Sequence, residues 1–169
     1  RRPNETDGVD YHFVDKAEFL EMVNSNRFLE HAQVFDHYYG TSHAWVEDQL
    51  LSGKDIILEI DWQGAQQVRK QIKHAVNIFI LPPSCQALQS RLTGRGENRE
   101  TVDRRMIEAK NEISHYKEYD FLVVNDDFDT ALVQLTAIFK ALKHGYTQQK
   151  DYYDSFVKEL LNDNGIQVK

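Results

Sequence analysis

Cysteine occurs once in this chain, at Cys85. A single thiol excludes an internal disulfide framework and fits a reducing compartment, so a cytoplasmic location is expected. Long apolar runs are lacking as well. None approaches the roughly 18 residues that cross a bilayer, and no secretory leader is visible, so no membrane partner is expected. Basic residues are in deficit: the net charge is −7. Binding to a nucleic-acid backbone needs a basic face, so nucleic acid is not an expected partner either. There are no repeats and no low-complexity segment. An initiating Met is also missing: the chain opens at Arg1 and reads as if cut within a motif.

What remains is a 169-residue chain, enough for one domain with a real core. Hydrophobic residues make up 41% and charged residues 28%, the balance of a globular rather than a disordered protein. The charge is uneven. Residues 91–105 carry Arg91, Arg95, Arg99, Arg104 and Arg105 against Glu97, Glu100 and Asp103. A local basic patch on an acidic chain suits a small anionic ligand.

The first third reads as a small α+β region. Asp15 is placed to cap a helix bearing Phe19, Leu20, Met22 and Val23 at helical spacing. The stretch 28–35 alternates as a strand does. Ser42 is placed to cap a helix carrying Trp45, Val46 and Leu50 and ending near Gly53. From Asp55 the pattern becomes α/β. Apolar runs at 56–60, 75–81 and 121–124 predict buried parallel strands. Between them fall helices over 64–72, from Ser84 through Leu92, and over about 100–116. Gly94-Arg95-Gly96 breaks the second of these. The residues from about Thr130 to Leu161 predict helix with an interruption near Gly145. Strands alternating with helices imply a parallel sheet covered on both faces.

In such a sheet, ligands sit beyond the C-terminal ends of the strands. Two strand ends finish in polar residues. At Glu59-Ile60-Asp61, the acids would either hold the water shell of Mg²⁺ beside nucleotide phosphates, or cap a helix or form a surface turn. At Asn125-Asp126-Asp127 a helix cap is favoured. Glu30, flanked by Phe28, Leu29 and Ala32, reads as a partly buried carboxylate in need of a partner. Guanine offers N1–H and N2–H₂ as adjacent donors to a carboxylate, and a hydroxyl such as that of Thr41 can donate to O6. Tyrosine hydroxyls suit a phosphate. Each of these residues taken singly has a structural explanation too. The arginines around Gly94 suit phosphate oxygens, which guanidinium forks bind bidentately, and the glycines beside Arg95 would let the segment move. The competing explanation is a solvated helix face, which the Glu100/Arg104 spacing supports.

Taken in order, several blocks together resemble the signature of guanylate kinase. They are Arg2 and Glu5; Asp7-Gly8-Val9-Asp10-Tyr11-His12-Phe13; Phe28-Leu29-Glu30; Tyr38-Tyr39-Gly40-Thr41; Ile57-Leu58-Glu59-Ile60-Asp61-Trp62-Gln63-Gly64; Ile78-Phe79-Ile80-Leu81-Pro82-Pro83-Ser84; Arg91-Leu92-Thr93-Gly94-Arg95-Gly96; and Val124-Asn125-Asp126-Asp127. The resemblance runs from Arg2 to about Ala141, and the helical tail is similar to that of bacterial members. It implies an α/β fold of the P-loop nucleoside monophosphate kinase type. A small α+β GMP-binding insertion would occupy residues 1–53, the core 54–93 and 106–169, and a helical lid 94–105, all in one domain. The implied activity is transfer of a phosphoryl group from ATP to GMP or dGMP, with Mg²⁺ accompanying ATP.

The resemblance also implies residue roles. Arg2, Tyr11 and Tyr39 would bind the GMP phosphate, while Glu30, Thr41 and Asp61 would read guanine. Arg91, Arg95 and Arg105 would clamp the ATP phosphates and the transferring group. Asn125 would lie near adenine, and Glu59 near Mg²⁺ through water. Three departures from the family pattern stand out. The Gly-rich phosphate loop with its Lys falls before Arg1, so the residues from Arg1 onward are expected not to catalyse by themselves. The interval from Arg95 to Arg105 is one residue short. Asn4 replaces a usual Gly, a mild change in a turn. The alternative to an enzyme is an inactive guanylate-kinase-like module that binds protein ligands. Homo-oligomerisation is left open.

Overall fold

The computed structural model describes residues 1, 4–96, 98–145 and 149–162. They divide into two compact units, one of Arg1–Asn77 with Lys110–Asp120, the other of Ile78–Ala109 with Phe121–Lys169.

In the first unit, Asp15 caps α1 (Lys16–Asn24) by accepting a hydrogen bond from the Glu18 N–H. Phe19 on α1 is buried against the Phe28 ring, with centroids 4.7 Å apart. β1 (Phe28–Val34) and β2 (His37–Ser42) form an antiparallel hairpin. Its two-residue turn places Phe35 at φ 56°, a left-handed conformation that costs a bulky side chain energy. Ser42 ends β2 and caps α2 (His43–Leu51), so one residue serves both elements. Asp61 caps α3 (Trp62–Gln71), whose Gly64, Ala65 and Val68 turn inward. Leu29, Val46 and Val68 form the core of this unit, with Leu58, Ile60, Ile72 and Ala75 packed around them.

The sequence pattern does not predict β2 as a strand. Its residues His37–Ser42 hold few apolar side chains, and pairing with β1 rather than propensity makes it one. The converse correction concerns 56–60, expected to be a buried parallel strand. Ile56, Leu58 and Ile60 do turn partly inward while Ile57 and Glu59 face out, but no described strand pairs with them. An apolar run becomes a strand only where a neighbour supplies the ladder.

The second unit contains the parallel pair of β3 (Ile78–Leu81) and β4 (Phe121–Val124), with Ile78 opposite Phe121 and Leu81 opposite Val124. β3 begins three residues later than the apolar run predicts. Ser84 caps α4 (Cys85–Gly94), which ends at Arg95, and Gly96 takes φ 80°. α5 (Arg99–Ser114) starts in this unit and finishes in the other. Asp127 caps α6 (Phe128–Lys143) through the N–H and hydroxyl of Thr130, which hold its carboxyl below the usual range. α7 (Lys150–Asn162) follows. No helix of the described residues is long and apolar enough to cross a membrane.

Candidate functional site

The first unit gathers the residues expected to read a base. The β1–β2 register shifts between Phe28 and Glu30, and this bulge breaks strict alternation: Leu29 and Glu30 are both buried. Bulges commonly re-aim a side chain beside a functional site. Glu30 is only 4% exposed. Thr41, its partner across the hairpin, donates its hydroxyl to Glu30 Oε1 at 2.5 Å. On the other side lies the first turn of α3. A Cβ placed on Gly64 would come within 2.6 Å of Glu30 Oε2, so with the carboxylate held where it is, glycine is the residue that lets the helix backbone approach this closely. Burial pushes the Glu30 carboxyl up from its ordinary value; the Thr41 hydroxyl opposes this, and the charge of Asp61 adds to it. The result is a desolvated carboxylate backed by a hydroxyl, with a second acid alongside.

Asp61 is a helix cap, one of the roles its place in the sequence allows. Its Oδ1 accepts from the Gly64 N–H and its Oδ2 from Gln63 Nε2, both at 2.9 Å. Capping fixes the carboxylate at the end of the Leu58–Ile60 segment and also sets its charge beside Glu30. The two roles are compatible, because each oxygen keeps a lone pair. α3 also grips β1. Gln67 Oε1 accepts from the His31 N–H at 3.1 Å, and its Nε2 donates to the His31 carbonyl at 2.7 Å. Gln71 Nε2 donates to the Leu29 carbonyl at 2.5 Å.

Tyr11 and Tyr39 come together edge to face, with centroids 6.1 Å apart. Tyr11 is 49% exposed and Tyr39 40%, so both rings border solvent. Phe13 packs on Tyr11, and the Arg1 guanidinium stands 5.6 Å over the Phe13 ring. A cation and two phenols therefore share one neighbourhood. Arg2 lies outside the described residues.

The second unit holds the arginines. Arg91, on α4, donates from Nη1 to the Asn125 carbonyl at 2.7 Å and from Nη2 to the Asp126 carbonyl at 3.2 Å. Its fork thus fixes the turn after β4, and it joins Asn125, another expected ligand. Asn125 extends the β3–β4 ladder through its own N–H to the Leu81 carbonyl. Arg95 is the exposed residue that ends α4. Arg105 is half-buried on α5. Glu59 is exposed on the segment before Asp61, and the described residues contain no cluster of three His, Cys, Asp or Glu side chains that could cage a metal.

Sequence reasoning missed the supporting cast. Gly64 falls within a signature block, but the sequence does not show it to be the surface against which Glu30 rests. Gln67 and Gln71 carried no chemical signal, although a glutamine pair at i, i+4 on a helix presents two amides to one neighbour.

The guanylate kinase family model matches residues 1–142. The guanylate kinase of Saccharophagus degradans is 56% identical over 163 residues, spanning 96% of this chain and 80% of that one. That of Hahella chejuensis is 53% identical over 162 residues, 95% of this chain and 78% of its own. The crystal structure of guanylate kinase from Anaplasma phagocytophilum superposes with a TM-score of 0.74 at 35% identity, covering 86% of this chain and 71% of that one. The α/β fold expected from the sequence is the fold of that relative, and the chain belongs to the guanylate kinase family.

Proposed function

We propose that the protein transfers the γ-phosphoryl group of ATP to GMP or dGMP, giving ADP and GDP or dGDP. The observation that carries this reading is Glu30, a carboxylate 4% exposed, backed by Thr41 and set beside Asp61. A buried acid this poorly solvated is costly unless donors meet it. Guanine brings two adjacent donors, N1–H and N2–H₂, that a carboxylate accepts together, and Thr41 can turn its hydroxyl to O6. Tyr11 and Tyr39, with Arg2, bind the GMP phosphate.

On the ATP side, Arg91 orders the turn bearing Asn125, which lies near adenine. Residues 94–105 form a lid from which Arg95 and Arg105 meet the transferring group, with Arg91 at its border. Mg²⁺ keeps several waters and takes one or two carboxylates besides the phosphates. The exposed carboxylate of Glu59 fits that limited demand through water. When bound, the ion neutralises charge on the phosphates. Retention of Glu30, Thr41, Asp61 and the lid arginines together argues for an enzyme over an inactive binding module. A coupled ADP-release assay on the full-length gene product tests the reading. ADP release should depend on both GMP and Mg²⁺, and its absence under those conditions would overturn the proposal.

Glu30 gives a second test. Its folded pKa lies above the ordinary 4.5 because burial disfavours the charge. The folded protein therefore binds the proton more tightly than the unfolded chain. The stability this adds is complete below the ordinary value and is lost as pH rises through the folded one. Glu30→Gln keeps an acceptor for Thr41 and removes the charge. Without ligand, it should melt above the parent near pH 7, and the gap should close toward about pH 4. Its GMP affinity should fall roughly 10- to 100-fold, the worth of charge-assisted hydrogen bonds. A variant that melts lower and binds GMP normally would make Glu30 a structural residue.

A further inference from the structure

Behind Asp61 lies a cluster that the reaction as described does not use. Trp62 is the first residue of α3, and its N–H is one the helix cannot satisfy internally. The cap side chain of Asp61 is already taken up with the Gly64 N–H and the Gln63 amide. Glu112, fifty residues on near the end of α5, supplies the missing acceptor: its Oε1 takes the Trp62 N–H at 3.0 Å. The Trp62 indole is held from the same side, stacked on the His115 ring at 3.8 Å and 7°. His115 is tied through Nδ1 to Glu118, at 2.7 Å, and Glu118 in turn pairs with Arg69 of α3 at 2.5 Å.

Glu112 is an odd choice for a simple structural bond. It is half-buried, and burial and the nearby charge of Asp61 push its carboxyl up. The Trp62 N–H and the nearby His115 oppose that rise. Tyr119, near the same acids, is pushed up to about 12 by burial and by the charge of Glu112. What Glu112 holds is the peptide N–H that immediately follows Asp61.

We propose that Glu112 is a positioning residue for guanine recognition: by holding the Trp62 N–H it fixes the Asp61 carboxylate where the 2-amino group of the base arrives. This rests on the reading that Asp61 meets guanine. Glu112 acts through Trp62 and need not touch the nucleotide. The consequence is specific. Loss of the Trp62 bond should weaken GMP binding but scarcely affect inosine monophosphate, the same nucleotide without the 2-amino group.

Two substitutions separate reach from charge. Glu112→Gln keeps an acceptor at the same reach without the charge. Glu112→Asp keeps the charge but withdraws the acceptor by one methylene. Titration calorimetry of the full chain with GMP and with inosine monophosphate, alongside thermal melting, reads both. Glu112→Asp should raise the Kd for GMP by roughly tenfold and shrink the preference for GMP over inosine monophosphate by nearly the same factor. Glu112→Gln should stay within roughly threefold of the parent for both ligands. The proposal is overturned if Glu112→Asp binds GMP like the parent, if it loses both nucleotides equally, or if Glu112→Gln is as impaired as Glu112→Asp. Asp61→Asn is the control for the underlying reading. If it leaves the GMP preference intact, Asp61 does not read the 2-amino group and both ideas fall. If it abolishes the preference while Glu112→Asp does not, only the role of Glu112 falls.

Discussion

With AMP offered in place of GMP, the full-length gene product is expected to release ADP at a kcat/KM lower by about 10⁴-fold or more. The size follows from the kind of site rather than from its fit. A pocket that only excludes volume discriminates weakly. A pocket that hydrogen-bonds a polar edge rejects the wrong base strongly, because its own buried groups are left unpaired. Glu30 is such a group, at 4% exposure, and the charge of Asp61 beside it makes the unpaired state worse. Adenine presents an acceptor at N1 where guanine presents a donor, so the Glu30 carboxylate would face a lone pair. The Thr41 hydroxyl would have to stay on Glu30, where it already donates at 2.5 Å, instead of turning to a base oxygen. dGMP should serve nearly as well as GMP, since no residue invoked here contacts the ribose 2′-hydroxyl. The measurement is the coupled ADP-release assay with each monophosphate in turn, and equal turnover of AMP would refute the guanine assignment.

Arg95→Ala is expected to lower kcat by on the order of 10²–10³ while changing GMP affinity little, if Arg95 meets charge that develops during transfer. Arg95 ends α4 and is exposed, with Gly94 before it and Gly96 in a left-handed conformation after it. Beyond it, Asn98 accepts from the Thr101 N–H at the start of α5, and Val102 is buried at 4% exposure. Val102 is the one apolar residue between Gly94 and Met106, so the segment buries little apolar surface of its own. Such a segment should exchange its amide hydrogens early in the absence of ligand and slow when both nucleotides are bound. Lysine at 95 should rescue only partly, because an ammonium lacks the planar fork. Steady-state kinetics of Arg95→Ala and hydrogen exchange over 94–105 test the two halves together. Near-normal kcat, or slow exchange without ligand, would make the patch an ordinary solvated helix face.

Much of this was legible in the sequence, and the reason is local. Asp15, Ser42, Asp61, Ser84 and Asp127 each precede a helical pattern, and each caps the helix it announces. The run Phe121–Val124, stopped by three polar residues, became β4 with the bounds the pattern predicts. What was not legible depends on partners distant in the chain. β2 is polar and exists through its register with β1, while 56–60 is apolar and finds no described ladder partner. In the site, Glu30 stood out because a carboxylate among apolar neighbours demands an explanation. Gly64, Gln67 and Glu112 did not, because their roles appear only once α3 lies against β1 and the end of α5 reaches Trp62. Arg91 was legible as a cation but not as the clamp on the Asn125–Asp126 turn.

The two glutamines of α3 bear on something other than catalysis. Among the described residues, β1 is paired along one side only, with β2. Its other side would offer the Leu29 carbonyl and both main-chain groups of His31 to any extended segment passing by, and open strand edges of this kind recruit foreign strands into aggregates and swapped dimers. Gln67 and Gln71 occupy those three groups with side-chain amides, in the pattern a neighbouring strand would use. At these groups the hairpin that presents Glu30 is shielded from a foreign strand and held against slipping in register, and a slip of one residue would turn that carboxylate to the opposite face.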